Sequence, residues 1–305
     1  MYVNTMKLYK DREDVTLMAY VLDDSVEMLR GKMRPAILIC PGGGYLNCSD
    51  REAEPVAMRF AAMGYHVFVL RYSTYLEGGY DIPDLAVAKM KAHCQFPNPM
   101  LEIGKAVLAI REHADEWLVD TEQIALCGFS AGAHNCAMYS VYWNSDYFKN
   151  YFEMDVNVFR PAALILSYPV TDYTYMKEWM SATTDIMMKS FFEISSLAFT
   201  GKVELTDEMA EVISPTLHVG SQTPPTFIWS TATDEMVPIE HTYRLAGALA
   251  KAGIAHEVHV FENGPHGMGL ADKSSAGRTE DVNPVAAQWI TFAEKFLNRH
   301  LKYPM

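Results

Sequence analysis

A serine sits between two glycines in Gly128-Phe129-Ser130-Ala131-Gly132, after the short apolar run Ile124–Cys127 and before a small-residue run of helical type, Ala131 to Trp143. A strand that turns sharply into a helix tolerates little bulk beside the turn, hence the two glycines. The turn residue is held in a strained conformation with its side chain exposed. A hydroxyl at that point becomes a nucleophile once a base takes its proton. Two later residues could complete the chemistry. Asp234 lies in Thr-Asp-Glu-Met-Val-Pro after the strand-like run Phe227–Ser230, and His266 lies in Asn-Gly-Pro-His-Gly after Glu257–Phe261. Ser…Asp…His is the chain order expected when a nucleophile elbow is served by an acid and a base on later strands. His266 is the expected base, and Asp234 the acid that fixes its tautomer and stabilises its charged form. Asp172 also ends a strand-like run and is the rival acid.

A tetrahedral oxyanion needs donors aimed at it. Pro41-Gly42-Gly43-Gly44-Tyr45 follows the fully apolar run Pro35–Cys40. Three glycines without Cβ atoms let backbone N–H groups converge on a developing anion. The expected donors are Gly43, Gly44 and Ala131. A nucleotide loop is excluded, because no Gly-Lys-Ser/Thr follows and the spacing misses Gly-x-Gly-x-x-Gly. Tyr45 beside the loop and His134 one turn past Ser130 are candidates to line a substrate pocket, with packing as the alternative role for His134.

The elements that must position these groups can be read from apolar periodicity. Tyr2–Leu8 and Thr16–Leu22 suggest an opening antiparallel hairpin. The runs at 35–40, 66–70, 124–127, 162–166, 227–230 and 257–261 read as strands, several of them covered on both faces. Helices are expected at 52–63, 100–118, 131–143, 239–251 and 285–297, with a short one possible at 85–94. This alternation predicts an α/β architecture, a mostly parallel sheet with helices on both faces, in one domain spanning 1–305. Residues 173–222 break the rhythm, being rich in Met and aromatics without a buried strand. They predict a helical insertion, either over a pocket or as plain core. Catalytic groups in such a sheet gather at the carboxyl ends of the strands, where Ser130, the glycine loop, Asp234 and His266 all fall.

Lys plus Arg is 25 and Asp plus Glu is 38, a net charge of 25 − 38 = −13. That balance argues against nucleic acid or an anionic membrane as partner. Five cysteines without a Cys-x-x-Cys pair suggest buried free thiols. His256 and His259 in one strand point to opposite faces, and no other cluster suggests a metal site. Polar residues run through the first ten positions where a secretory core would be apolar, so the chain as given is expected in the cytoplasm. A homo-oligomer is compatible with all of this.

Cys-Pro-Gly-Gly-Gly-Tyr at 40–45, Arg-Glu-Ala-Glu-Pro-Val-Ala at 51–57, Cys-Gly-Phe-Ser-Ala-Gly-Ala-His at 127–134, Thr-Asp-Glu-Met-Val-Pro at 233–238 and Val-Phe-Glu-Asn-Gly-Pro-His-Gly at 260–267 resemble the α/β-hydrolase esterases. The likeness is to the bacterial branch of acetylxylan and other carbohydrate acetyl esterases, related to dienelactone hydrolases. It departs at Pro41, where many relatives have histidine, at Ala133, where glycine is commoner, and in a longer stretch at 75–97. The resemblance implies a serine esterase that needs no cofactor and removes short acyl groups, such as acetyl, from small carbohydrate esters. A prolyl-oligopeptidase-like peptidase is the second enzymatic reading, although about 35 residues before the first core strand are too few for a propeller. A catalytically silent hydrolase fold acting as a binding protein is the third.

Overall fold

The computed structural model describes residues 1–28 and 30–304. Its core is one eight-stranded sheet in the order β1-β2-β4-β3-β5-β6-β7-β8. The strands are β1 (Tyr2–Lys7), β2 (Thr16–Val21), β3 (Arg34–Cys40), β4 (His66–Arg71), β5 (Val119–Phe129), β6 (Ala163–Ser167), β7 (Thr226–Thr231) and β8 (His256–Phe261). The opening hairpin pairs antiparallel and joins β4 antiparallel, and every pairing from β4 to β8 is parallel. The fold class anticipated from strand–helix alternation is the one observed.

The apolar runs are continuous because both sheet faces are covered, and alternate residues feed two cores. Leu38, Leu70 and Leu126 face the side covered by α2 (Asn98–Glu112), α4 (Ala131–Tyr142) and α9 (Glu240–Ala252). Ile37, Ile39, Val69 and Cys127 face α1 (Glu54–Ala62) and α10 (Trp289–His300), where Phe60, Trp289 and Phe296 are buried. All five cysteines are buried free thiols.

Two local expectations fail, and one helix appears where none is expected. No α-helix forms at 85–94, and only Ala92–Cys94 makes a 3-10 turn. The amphipathic run at 100–118 is two helices, because α2 ends at Glu112 and α3 (Ala114–Trp117) closes on Leu118 in the left-handed region, φ 55°. Helix α5 (Asp146–Phe152) was not foreseen. Its Phe148 packs on Phe152 and Phe159, which anchors an otherwise largely exposed helix.

Between β6 and β7 lie α6 (Tyr173–Ala182), α7 (Ile186–Thr200) and α8 (Asp207–Val212), the helical departure at 173–222. Among the described residues, no helix is long and apolar enough to cross a membrane.

Candidate active site

Ser130 occupies the turn between β5 and α4 with φ 50° and ψ −119°, a conformation that costs an L-residue about 1–3 kcal/mol and needs surrounding support. Two bonds hold it. Its N–H donates to the Ser167 carbonyl of neighbouring β6 (3.0 Å), and its carbonyl accepts from the His134 amide (2.9 Å). The flanking glycines are steric requirements. A Cβ at Gly128 would lie 2.5 Å from Ala133 Cα, and one at Gly132 would lie 2.1 Å from the Cys40 carbonyl oxygen.

The structure brings Ser130, His266 and Asp234 together from three strand ends. His266 Nε2 lies 2.8 Å from Ser130 Oγ, and His266 Nδ1 lies 2.6 Å from Asp234 Oδ2. A carboxylate only accepts, so Nδ1 carries the proton and donates it, leaving the Nε2 lone pair to accept from the serine hydroxyl. Asp234 is aimed by its own turn. Its Oδ1 accepts from the amides of Met236 (3.0 Å) and Val237 (2.9 Å), which leaves Oδ2 for the histidine. The two loops are clasped together, since Thr231 Oγ1 donates to the Gly264 carbonyl (2.7 Å) and the Gly264 amide donates to Thr233 Oγ1 (2.9 Å). The side chains of Asp234 and His266 are only 1% and 12% exposed, a setting where charge interactions are strong.

Asp172, the rival acid, is engaged elsewhere. Its Oδ1 caps α6 by accepting from the Thr174 and Tyr175 amides, and its Oδ2 pairs with Arg244 at 2.9 Å.

The glycine loop stands beside the nucleophile, for a Cβ at Gly42 would lie 2.8 Å from Ser130 Cβ. The Gly42 amide is already spent on Glu52 Oε2 (2.7 Å). Among the described residues, the amides of Gly43, Gly44 and Ala131 donate to no protein acceptor. At Ala131 this follows from its place in the first turn of α4. Gly44 is covered by α7. Ser195 Oγ donates to the Gly44 carbonyl (2.7 Å), and a Cβ at Gly44 would meet the Phe191 ring at 2.6 Å. The insertion therefore borders the site through Phe191 and Ser195, while Ile194, Ala198 and Phe199 on the same helix are core. An open cleft of about 490 Å³ runs beside His266, lined by Met188, Glu235, Met236, Pro265 and Arg278 among others.

Tyr45 and His134 do not line that cleft. Both are completely buried. The Tyr45 hydroxyl donates to His134 Nδ1 (2.6 Å), and His134 Nε2 donates to the Ile213 carbonyl (2.8 Å). Tyr45 also stacks on Phe199 at 4.0 Å between ring centroids. Burial pushes the His134 imidazole down to about 4, so it stays neutral under the floor of the site.

Sequence reading passed over Glu52 and Tyr168. Glu52 is fully buried, and its Oε1 accepts from the Tyr168 hydroxyl at 2.7 Å. The Tyr168 ring packs edge-on against His266, centroids 4.9 Å apart. Burial raises the Glu52 carboxyl above its ordinary value, against the opposing pull of the Tyr168 and Gly42 bonds and of His266. A glutamate inside a charged helix start carries no periodic signal of burial, and its partner is 116 residues away. Among the described residues, no three His, Cys, Asp or Glu side chains gather as a metal-ligand set would.

A mostly parallel sheet with its candidate nucleophile on the elbow after a central strand makes this an α/β-hydrolase fold. The chain belongs to the BD-FAE family, whose model matches residues 26–249. It is 32% identical over 256 residues to endo-1,4-beta-xylanase B of Butyrivibrio fibrisolvens, covering 84% of this chain and 35% of that protein. Among solved structures it is similar to the carboxylesterase Cest-2923 of Lactobacillus plantarum, with TM-score 0.77, 28% identity and full coverage of both chains. It is also similar to an acetyl ester-xyloside bifunctional hydrolase of Caldicellulosiruptor lactoaceticus, with TM-score 0.73, 27% identity and coverage of 97% and 96%. The chain spans between 35% and 56% of the length of three curated relatives that it matches.

Proposed function

We propose that this protein is a serine carboxylic-ester hydrolase that removes short acyl groups, acetyl foremost, from carbohydrate or similar esters. The observation that carries the reading is the continuous hydrogen-bond chain Asp234–His266–Ser130, with 2.6 and 2.8 Å links. Ser130 Oγ attacks the ester carbonyl carbon as His266 Nε2 takes the hydroxyl proton, and Asp234 stabilises the resulting imidazolium. The tetrahedral oxyanion is met by the amides of Gly43, Gly44 and Ala131. His266 returns the proton to the departing alcohol, and water then resolves the acyl-serine by the same steps in reverse. Support for a carbohydrate ester comes from the names of the similar xylanase and acetyl ester-xyloside hydrolase. Support for a short acyl group comes from the Phe191 ring against Gly44.

Initial rates on p-nitrophenyl esters from acetate to octanoate, with acetylated xylo-oligosaccharide alongside, test the reading. The expected result is fastest turnover of acetate, acetate release from the sugar, and a loss of about 10⁴-fold or more in Ser130→Ala. Full activity in Ser130→Ala would overturn the mechanism. Preference for octanoate would overturn the substrate class.

A further inference from the structure

We propose that Glu52 is a positioning residue that holds the oxyanion loop and the histidine base in register with each other. The inference rests on the serine-esterase reading above and deepens it. Glu52 lies in the 3-10 turn Asp50–Glu52 that leads into α1, and it is fully buried. Among the described residues, no Lys or Arg lies within ion-pair distance of its carboxylate. Its neighbour Arg51 turns instead to Asp281, 2.7 Å away. A buried carboxylate without a cation is expensive, and it persists only where hydrogen-bond donors surround it.

Both of its donors belong to the site. Oε2 takes the Gly42 amide at 2.7 Å, which fixes the first peptide of the loop whose next two amides are the proposed oxyanion donors. Oε1 takes the Tyr168 hydroxyl at 2.7 Å. That hydroxyl in turn accepts the Gly269 amide at 2.9 Å, three residues after His266. The Tyr168 ring supports the imidazole edge-on, and Tyr168 itself is held at φ 39° just beyond β6. One side chain thus ties the end of β3, the end of β6 and the His266 loop at a single point. Release of either arm lets the oxyanion donors drift relative to Ser130, against which Gly42 packs too closely to admit a Cβ.

Glu52→Gln keeps the side chain's shape and one acceptor. Tyr168→Phe keeps the ring and both carboxylate oxygens but removes the hydroxyl. The readouts are kcat and KM on p-nitrophenyl acetate, the inhibition constant of phenylboronic acid as a tetrahedral mimic, and thermal melting. Each variant is expected to lose about 10- to 100-fold in kcat, with KM within about 2-fold. Boronate inhibition should weaken in parallel, and the double variant should be no worse than the poorer single one, because both act through one tie. A role in folding alone would lower the melting temperature and leave kcat and boronate affinity unchanged. That outcome in Tyr168→Phe overturns the proposal even if Glu52→Gln fails to fold. Wild-type protein that neither turns over esters nor is labelled at Ser130 by diisopropyl fluorophosphate would instead overturn the esterase reading.

Discussion

Replacing Gly132 with alanine perturbs the site through the backbone alone. The added Cβ would lie 2.1 Å from the Cys40 carbonyl oxygen and 2.3 Å from that of Pro41, where ordinary contact begins at 3.4 Å. The end of β3 must therefore retreat by 3.4 − 2.1 = 1.3 Å, or the start of α4 must move by as much. Cys40 stands in register with Gly128 across the β3–β5 pairing, and the glycine loop begins two residues later, so the movement separates the loop from Ser130. A misplacement of about 1 Å costs on the order of 100-fold in rate. Overpacking of this kind costs about 1–3 kcal/mol, a fall of roughly 2–5 °C in a chain of this size. The assay is kcat and KM on p-nitrophenyl acetate together with a thermal melt. Gly247→Ala, in the middle of α9 with no atom within 4 Å of its Cβ position, is the matched control. It should gain about 0.5–1 kcal/mol and leave kcat unchanged. Gly132→Ala with kcat within threefold of wild type would refute the steric coupling of elbow and loop, whatever its melting temperature.

Asp234→Asn should cost about 10⁴-fold in kcat by presenting the wrong tautomer of His266. Asp172→Asn keeps a capping oxygen and loses a half-exposed pair with Arg244, so it should cost about 0.5–1 kcal/mol of stability and little activity. The reverse ranking in the same assay would reassign the acid. Phe191→Ala removes the ring over Gly44 and should shift preference from acetate toward butyrate and hexanoate; an unchanged chain-length profile would take this ring out of the acyl site. Glu102 is fully buried, and desolvation first of all pushes its carboxyl up to about 7, against its bonds to the Ser73 amide and hydroxyl and the nearby Arg12 guanidinium. The folded state therefore holds this proton more tightly than the unfolded chain, in which the value is near 4.5. Its contribution is complete below that value and is lost as pH rises toward 7. Wild type should lose about 3 kcal/mol more than Glu102→Gln between pH 4.5 and 7, read from denaturant melts. Parallel stability curves would contradict this.

The strands and the chain positions of Ser130, Asp234 and His266 were legible because each is written locally. A strand buried on both faces is a solid apolar run, and a sharp turn demands its glycines in place. What was illegible depends on contacts between distant segments. Tyr45 and His134 adjoin the loop and the elbow, and their polar atoms suggested a pocket, yet they satisfy each other and Ile213 in the core. The run at 85–94 had helical composition but lacks a buried stripe, with Val87 and Met90 exposed at 69% and 62%. Glu52 looked like one more charge at a helix start. Nothing nearby in sequence shows that Gly42 and Tyr168 converge on it.

The attachment of α7 to the glycine loop bears on how such a site can change. Phe191, whose ring lies over Gly44 where the acyl group is proposed to sit, and Ser195, which donates to the Gly44 carbonyl, project from one helix four residues apart. A shift of that helix that makes room for a larger acyl group should also turn the Gly44 peptide, whose amide is one of the proposed oxyanion donors. On the proposed esterase reading, breadth of substrate and speed of turnover are geared together. On that reading, variants that widen the acyl side by substitution at Phe191 should keep their rate, and those that move the backbone of α7 should lose it.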